Sequence, residues 1–175
     1  PTKKPNNVLI MRNFPRLSNP VMNDILSHKH ASLFSNPVRE RDAEGYRDMI
    51  RRPQDLKSIK AAINAGARAA LQILNDAAAE QAGPEGAPGR VERYEALIRS
   101  GAGFGVGGPM LSMPATPELV PPLGIVNSAQ MERELMRMFA NAVMFNPGEE
   151  DVVRDAREMF ESVSVAMGSV RSVER

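Results

Sequence analysis

The chain has no cysteine and no tryptophan, and aromatic residues make up only 5% of its 175 positions. Without cysteine there is no disulfide framework and no thiol chemistry, a composition that fits a reducing compartment. No apolar run approaches the length of a membrane span, and the first residues lack the apolar core of a signal peptide. Charge of neither sign is in excess: the formal net charge is +1, which argues against a strongly basic nucleic-acid surface. What remains is ordinary for one soluble globular domain with a core of its own, 42% hydrophobic and 25% charged. The 13 glycines and 14 prolines cluster, which suggests a regular framework with an irregular segment inside it.

Residues 1–16 read as an N-terminal extension, with a short apolar run at Val8-Leu9-Ile10-Met11. Ser18-Asn19-Pro20 combines a capping side chain with a proline suited to a first turn, so a helix is expected from there to about His30. Val21, Met22, Ile25 and Leu26 give it one apolar face. From Phe34 to Arg52 no period is sustained, yet Phe34, Val38, Tyr46, Met49 and Ile50 are apolar anchors, which predicts a long ordered loop of functional kind. Pro53 and Asp55 start a second helix carrying Leu56, Ile59 and Ile63. Ala67 to Gln81 either extends that helix or begins another.

The breaker cluster Gly83-Pro84-Glu85-Gly86-Ala87-Pro88-Gly89 follows. Val91 to Ser100 has the spacing of a short helix, and Gly101 to Pro122 reads as a flexible or surface-hugging connection. Asn127-Ser128 caps a third helix, with Met131, Leu135, Met138, Phe139 and Ala142 on its apolar face, and Pro147 stops it at Asn146. Val152, Ala156, Met159, Phe160, Val163, Met167 and Val170 define a fourth. Almost nothing alternates at period two, so the expectation is an all-α antiparallel bundle.

The stretch from Asn141 to Pro147 leaves a carboxamide, Asn146, at the mouth of an apolar run. A primary amide offers two donors and an acceptor without charge, which suits it to reading a neutral amide ligand. Taken singly, Asn146 is only a helix-ending residue before proline. Phe34-Ser35-Asn36-Pro37-Val38, then Gly45-Tyr46-Arg47-Asp48-Met49-Ile50-Arg51-Arg52-Pro53-Gln54-Asp55-Leu56, then Asn141-Ala142-Val143-Met144-Phe145-Asn146 resembles the bromodomain family in order and spacing. The resemblance covers 17–172 as a single domain, interrupted by an insertion over 67–123. The short first loop looks most like the bromodomain subunit of nuclear histone acetyltransferase complexes.

The resemblance implies a left-handed four-helix bundle with an acetyl-lysine pocket between the first long loop and the loop after the third helix. It gives Asn146 the acetyl carbonyl, Tyr46 the same oxygen through a water, Val38 and Phe34 the floor and wall, and Val152 the gate beside the lysine stem. Phe145 stands where the family has a tyrosine, and Ser32-Leu33-Phe34 replaces its Trp-Pro-Phe shelf. Asn141 matches the position that ties the first loop to the helix, and Pro53 and Asp55 are its structural companions at the start of the second. The implied partners are acetylated histone tail peptides and other subunits of a histone acetyltransferase complex, in the nucleus. No cofactor, metal or membrane is expected, and nucleic acid enters at most indirectly. The alternative is a degenerate bromodomain that acts as a protein–protein scaffold without binding acetyl-lysine.

Other features have bland readings. His28 and His30, at i and i+2, do not share a helix face, and they read as a cationic helix end rather than a metal site. The Gly-x-Gly-x-x-Gly from Gly103 to Gly108 follows no strand, so it is no dinucleotide loop. Arg39, Arg41, Arg47, Arg51 and Arg52 are interrupted by acids and read as a solvated loop. Met131, Met136, Met138 and Met144 read as core fillers. No nucleophile–base pair or phosphate loop supports an enzyme.

Overall fold

In the computed structural model, residues 6–81, 110–146, 148 and 151–173 are described. Five helices occur among them: α1 (Phe14–Leu26), α2 (Tyr46–Met49), α3 (Leu56–Gln81), α4 (Ser128–Phe145) and α5 (Asp151–Val173). The four longer helices form an all-α bundle with a long insertion between its second and third members. Each helix touches two neighbours: α1 packs on α3 and α5, and α4 packs on α3 and α5. Met22, Ile59, Met131, Leu135, Met159 and Met167 meet in the central core.

α1 begins a turn earlier than Ser18-Asn19-Pro20 suggests. Phe14 is buried at its start and Pro15 occupies the first turn, while Pro20 lies inside the helix. Proline is well suited to a first turn, and the earlier of two candidates is used here because Phe14 anchors it in the core. α3 runs without interruption through Gly66 to Gln81, so the Ala-rich stretch extends the second bundle helix. The breaker cluster at 83–89 and the helix expected at 91–100 lie outside the described residues.

The period-two element absent from the expectation is a two-stranded antiparallel sheet. β1 (Asn7–Met11) pairs with β2 (Met110–Pro114) in the register Val8 to Met113 and Ile10 to Leu111. The N-terminal residues are thereby joined to the segment that returns from the insertion. Val8 and Ile10 pack with Ala70, Leu119 and Val126 into a second, smaller core on the later half of α3.

Gly66 and Gly124 make that docking close. A Cβ on Gly66 would stand 2.7 Å from the Ile125 carbonyl oxygen, and one on Gly124 would stand 2.0 Å from that of Glu118. The Ile125 amide donates to the Ala62 carbonyl at 3.0 Å. Asn127 then clips the layers together: its Oδ1 accepts from the Gln130 amide at 2.8 Å, capping α4, while its Nδ2 donates to the Leu9 carbonyl at 2.7 Å. Gln130 completes the clip, accepting from the Val126 amide and donating to the Leu119 carbonyl. No helix among the described residues is long and apolar enough to cross a membrane.

Candidate functional site

The loop between α1 and α3 is irregular in outline and fixed in detail. After a 3-10 turn at Ala31–Leu33, the carbonyls of Phe34 and Ser35 accept from the Leu56 and Lys57 amides at 2.8 and 3.2 Å. Those amides belong to the first turn of α3, where no intrahelical partner exists. Asp55 caps the same turn: its carboxylate accepts from the Ser58 amide at 2.9 Å and the Ser58 hydroxyl at 2.5 Å. The start of α3 thus holds both ends of the loop.

Within the loop, Glu40 accepts from the Gly45 and Arg47 amides at 2.8 and 3.2 Å. Gly45 adopts φ of +79°, a left-handed conformation that glycine tolerates without a Cβ penalty. This bend delivers Tyr46 to the first position of α2, inward and buried. Pro53 is exposed at the end of the loop. One residue earlier, the Arg52 carbonyl accepts from Asn141 Nδ2 at 2.9 Å, which fastens the loop to α4.

Tyr46 meets Phe145 edge-on, with ring centroids 5.0 Å apart and planes at 71°. Asn146 follows as the residue that ends α4, extended at φ −106° and ψ 92°. Its Nδ2 donates to the Ala142 carbonyl at 2.9 Å, and its backbone amide donates to the same oxygen at 3.1 Å. That holds the carboxamide at the helix end and uses one of its two donors. Among the described residues, its second N–H and its Oδ1 have no partner, which is the equipment needed to read an amide group. Burial, and then the negative charge of Asp55, raises the Tyr46 hydroxyl above its ordinary value, so it stays a neutral donor at physiological pH.

The remaining residues of the pattern fall into different settings. Phe34 is part of the central core, edge-on against Phe139 at 5.2 Å, and Phe139 in turn meets Phe160. Val38 is 38% exposed on the loop, and Leu33 is 44% exposed just before the buried Phe34. Val152 is half-buried in the first turn of α5, beside the buried Val153. Pro147, Glu149 and Glu150 lie outside the described residues. Met131 and Met138 fill the core as expected, whereas Met144 is exposed.

One support was not anticipated. Glu134 is almost wholly buried, with Oε2 accepting from Arg137 Nε at 3.0 Å and from Gln54 Nε2 at 3.3 Å. Gln54 Oε1 in turn accepts from the Asp55 amide at 3.0 Å. The same helix face that supplies Asn141 therefore holds the loop at a second point. A carboxylate set at helical spacing among Met131, Leu135 and Met138 is the sequence signal for it, because a buried acid requires a partner.

Residues 19–71 match the bromodomain family model. The match takes in most of α1, the whole loop with Tyr46, and α3 as far as Leu71, and it supports the bromodomain family and a module of the kind that reads acetyl-lysine. α4, with Asn141 and Asn146, lies beyond the matched residues.

Proposed function

We propose that this protein binds acetylated lysine on histone tails as the reader module of a chromatin-modifying complex, in the nucleus. The observation that carries the reading is the Asn146 carboxamide, fixed at the end of α4 by Ala142 and next in the chain to Phe145 of the Tyr46–Phe145 pair, with a donor and an acceptor left over among the described residues. Acetylation removes the lysine charge and leaves one carbonyl acceptor. The free Asn146 N–H satisfies that acceptor, and Tyr46 reaches it through a water. An ammonium in the same apolar setting costs several kcal/mol to desolvate. Val38 supplies apolar lining and Val152 the gate beside the lysine stem, while Phe34 backs the loop from the core.

A single small site on a disordered tail gives weak affinity, on the order of micromolar to millimolar. The acidic run Glu149-Glu150-Asp151 follows Asn146 closely in sequence and attracts the basic residues that neighbour acetyl-lysine on histone tails, which raises the association rate more than the affinity. Membership of a histone acetyltransferase complex is proposed from the resemblance of the loop stretch around Val38 to Asp42.

The scaffold reading retains one specific support, the exposed Leu33 in place of an aromatic shelf. Calorimetric titration with acetylated and unmodified histone-tail peptides separates the two. Binding of the acetylated form alone supports the reader. Equal or absent binding of both forms supports the scaffold.

A further inference from the structure

Where the end of α1 meets α5, three potential metal ligands converge on a surface that has no part in the acetyl-lysine reading. His30 lies in the turn that leads from α1 into the 3-10 helix Ala31–Leu33. Asp155 and Glu158 project from α5 at a spacing of three, hence from one face. His30 Nε2 stands 2.9 Å from Glu158 Oε2 and 3.4 Å from Asp155 Oδ1, and the three donor atoms lie within 4.8 Å of one another. In a tetrahedral zinc site with bonds of about 2.0–2.1 Å, ligand atoms stand about 3.3 Å apart. The two separations from His30 bracket that edge, and the three atoms together lie close enough to converge on one ion after side-chain adjustment.

We propose that His30, Asp155 and Glu158 form a binding site for a divalent transition metal, zinc by ligand type, which staples the end of α1 to α5. Imidazole nitrogen with carboxylate oxygen suits zinc better than magnesium or calcium, which take oxygen ligands. Three protein ligands leave a fourth position for water.

The surroundings present these ligands in usable form. Lys29 Nζ lies 2.5 Å from Glu158 Oε1, the oxygen that faces away from the ring, and so turns Oε2 toward His30. The His30 side chain is only 18% exposed, and its backbone amide donates to His28 Nδ1 at 3.1 Å, which fixes the turn that aims the ring. The same geometry also suits a metal-free clasp, with the His30 ring held between the two carboxylates.

The test is a zinc chloride titration of the chelator-treated protein, observed on the histidine ring resonances and by thermal melting. The His30 ring signals are expected to shift in a saturable way. The melting temperature rises by roughly 5–10 °C when zinc is about 100 times its dissociation constant. Asp155→Asn and Glu158→Gln each weaken the His30 response by about tenfold or more. Magnesium chloride leaves the ring unchanged. An unchanged His30 ring at millimolar zinc overturns the proposal in favour of the metal-free clasp. A zinc response of equal strength in the Asp155→Asn and Glu158→Gln proteins overturns it in favour of adventitious binding by a lone histidine.

Discussion

Asn141 donates from Nδ2 to the carbonyl oxygen of Arg52 at 2.9 Å, so α4 grips the loop at the residue before Pro53. Five residues later the same helix ends at Asn146, which places the candidate reading group and the fastening of the loop that carries Tyr46 on one rigid element. Rigid support of this kind is what a small site with few polar contacts depends on.

Asn141→Ala is therefore expected to act on both stability and binding. It removes a part-buried hydrogen bond and leaves the Arg52 carbonyl short of a partner, at a cost of about 1–2 kcal/mol. Acetyl-lysine peptide affinity falls as well, because Tyr46 loses its fixed position. Chemical denaturation and calorimetry check the two effects separately; unchanged denaturation would show that the loop is held adequately by Glu134 and Gln54.

Asn146→Ala behaves differently. Asn146 caps the end of α4 with one side-chain bond to Ala142, so its loss costs at most about 1 kcal/mol. Binding of acetylated peptide disappears while the melting temperature stays within a few degrees. A mutant that still binds the acetylated peptide as the wild type does removes Asn146 from the site.

Gly66→Ala tests the close approach of the returning segment to α3. Alanine gains about 1 kcal/mol of helix propensity over glycine. Against this, the new Cβ meets the Ile125 backbone oxygen at 2.7 Å, and relieving such overpacking typically costs about 1–3 kcal/mol. A net loss in denaturant stability is expected, and a gain would show that the segment is not seated there. Leu119→Ala, which empties a fully buried position in the second core, is expected to cost about 2–4 kcal/mol.

The Tyr46 hydroxyl supplies a pH prediction. Its folded value is raised above the ordinary 10.0, so the native state holds the phenolic proton more tightly than the unfolded chain. The stability that this contributes is complete below pH 10 and is lost as pH rises through the folded value. Stability thus declines in alkali, and Tyr46→Phe shows a shallower decline. An identical alkaline limb in the two proteins would place the Tyr46 hydroxyl in solvent.

The bundle was legible because its signals are local. Apolar spacings of three and four mark all four long helices, and Asn127-Ser128 marks the start of α4 by its capping chemistry. The β1–β2 sheet was not legible, since five-residue strands carry too few alternations to stand out and Asn7–Met11 pairs with Met110–Pro114, far along the chain. Whether the second helix continued past residue 66 stayed open in sequence; in the fold it continues, and Gly66 is the gap that admits Ile125. For the site, order and spacing pointed to Tyr46, Asn141 and Asn146. His28 and His30 carry no sign of a metal site in sequence, because Asp155 and Glu158 reach His30 through helix packing alone.

The central claim, that Asn146 and Tyr46 read an acetylated lysine, is tested most directly by an NMR titration with a histone-tail peptide in acetylated and unacetylated forms. The account predicts saturable shifts at the Asn146 side-chain amide and the Tyr46 ring with the acetylated peptide alone. Absence of those shifts at millimolar acetylated peptide, or the same shifts with the unacetylated peptide, would contradict it.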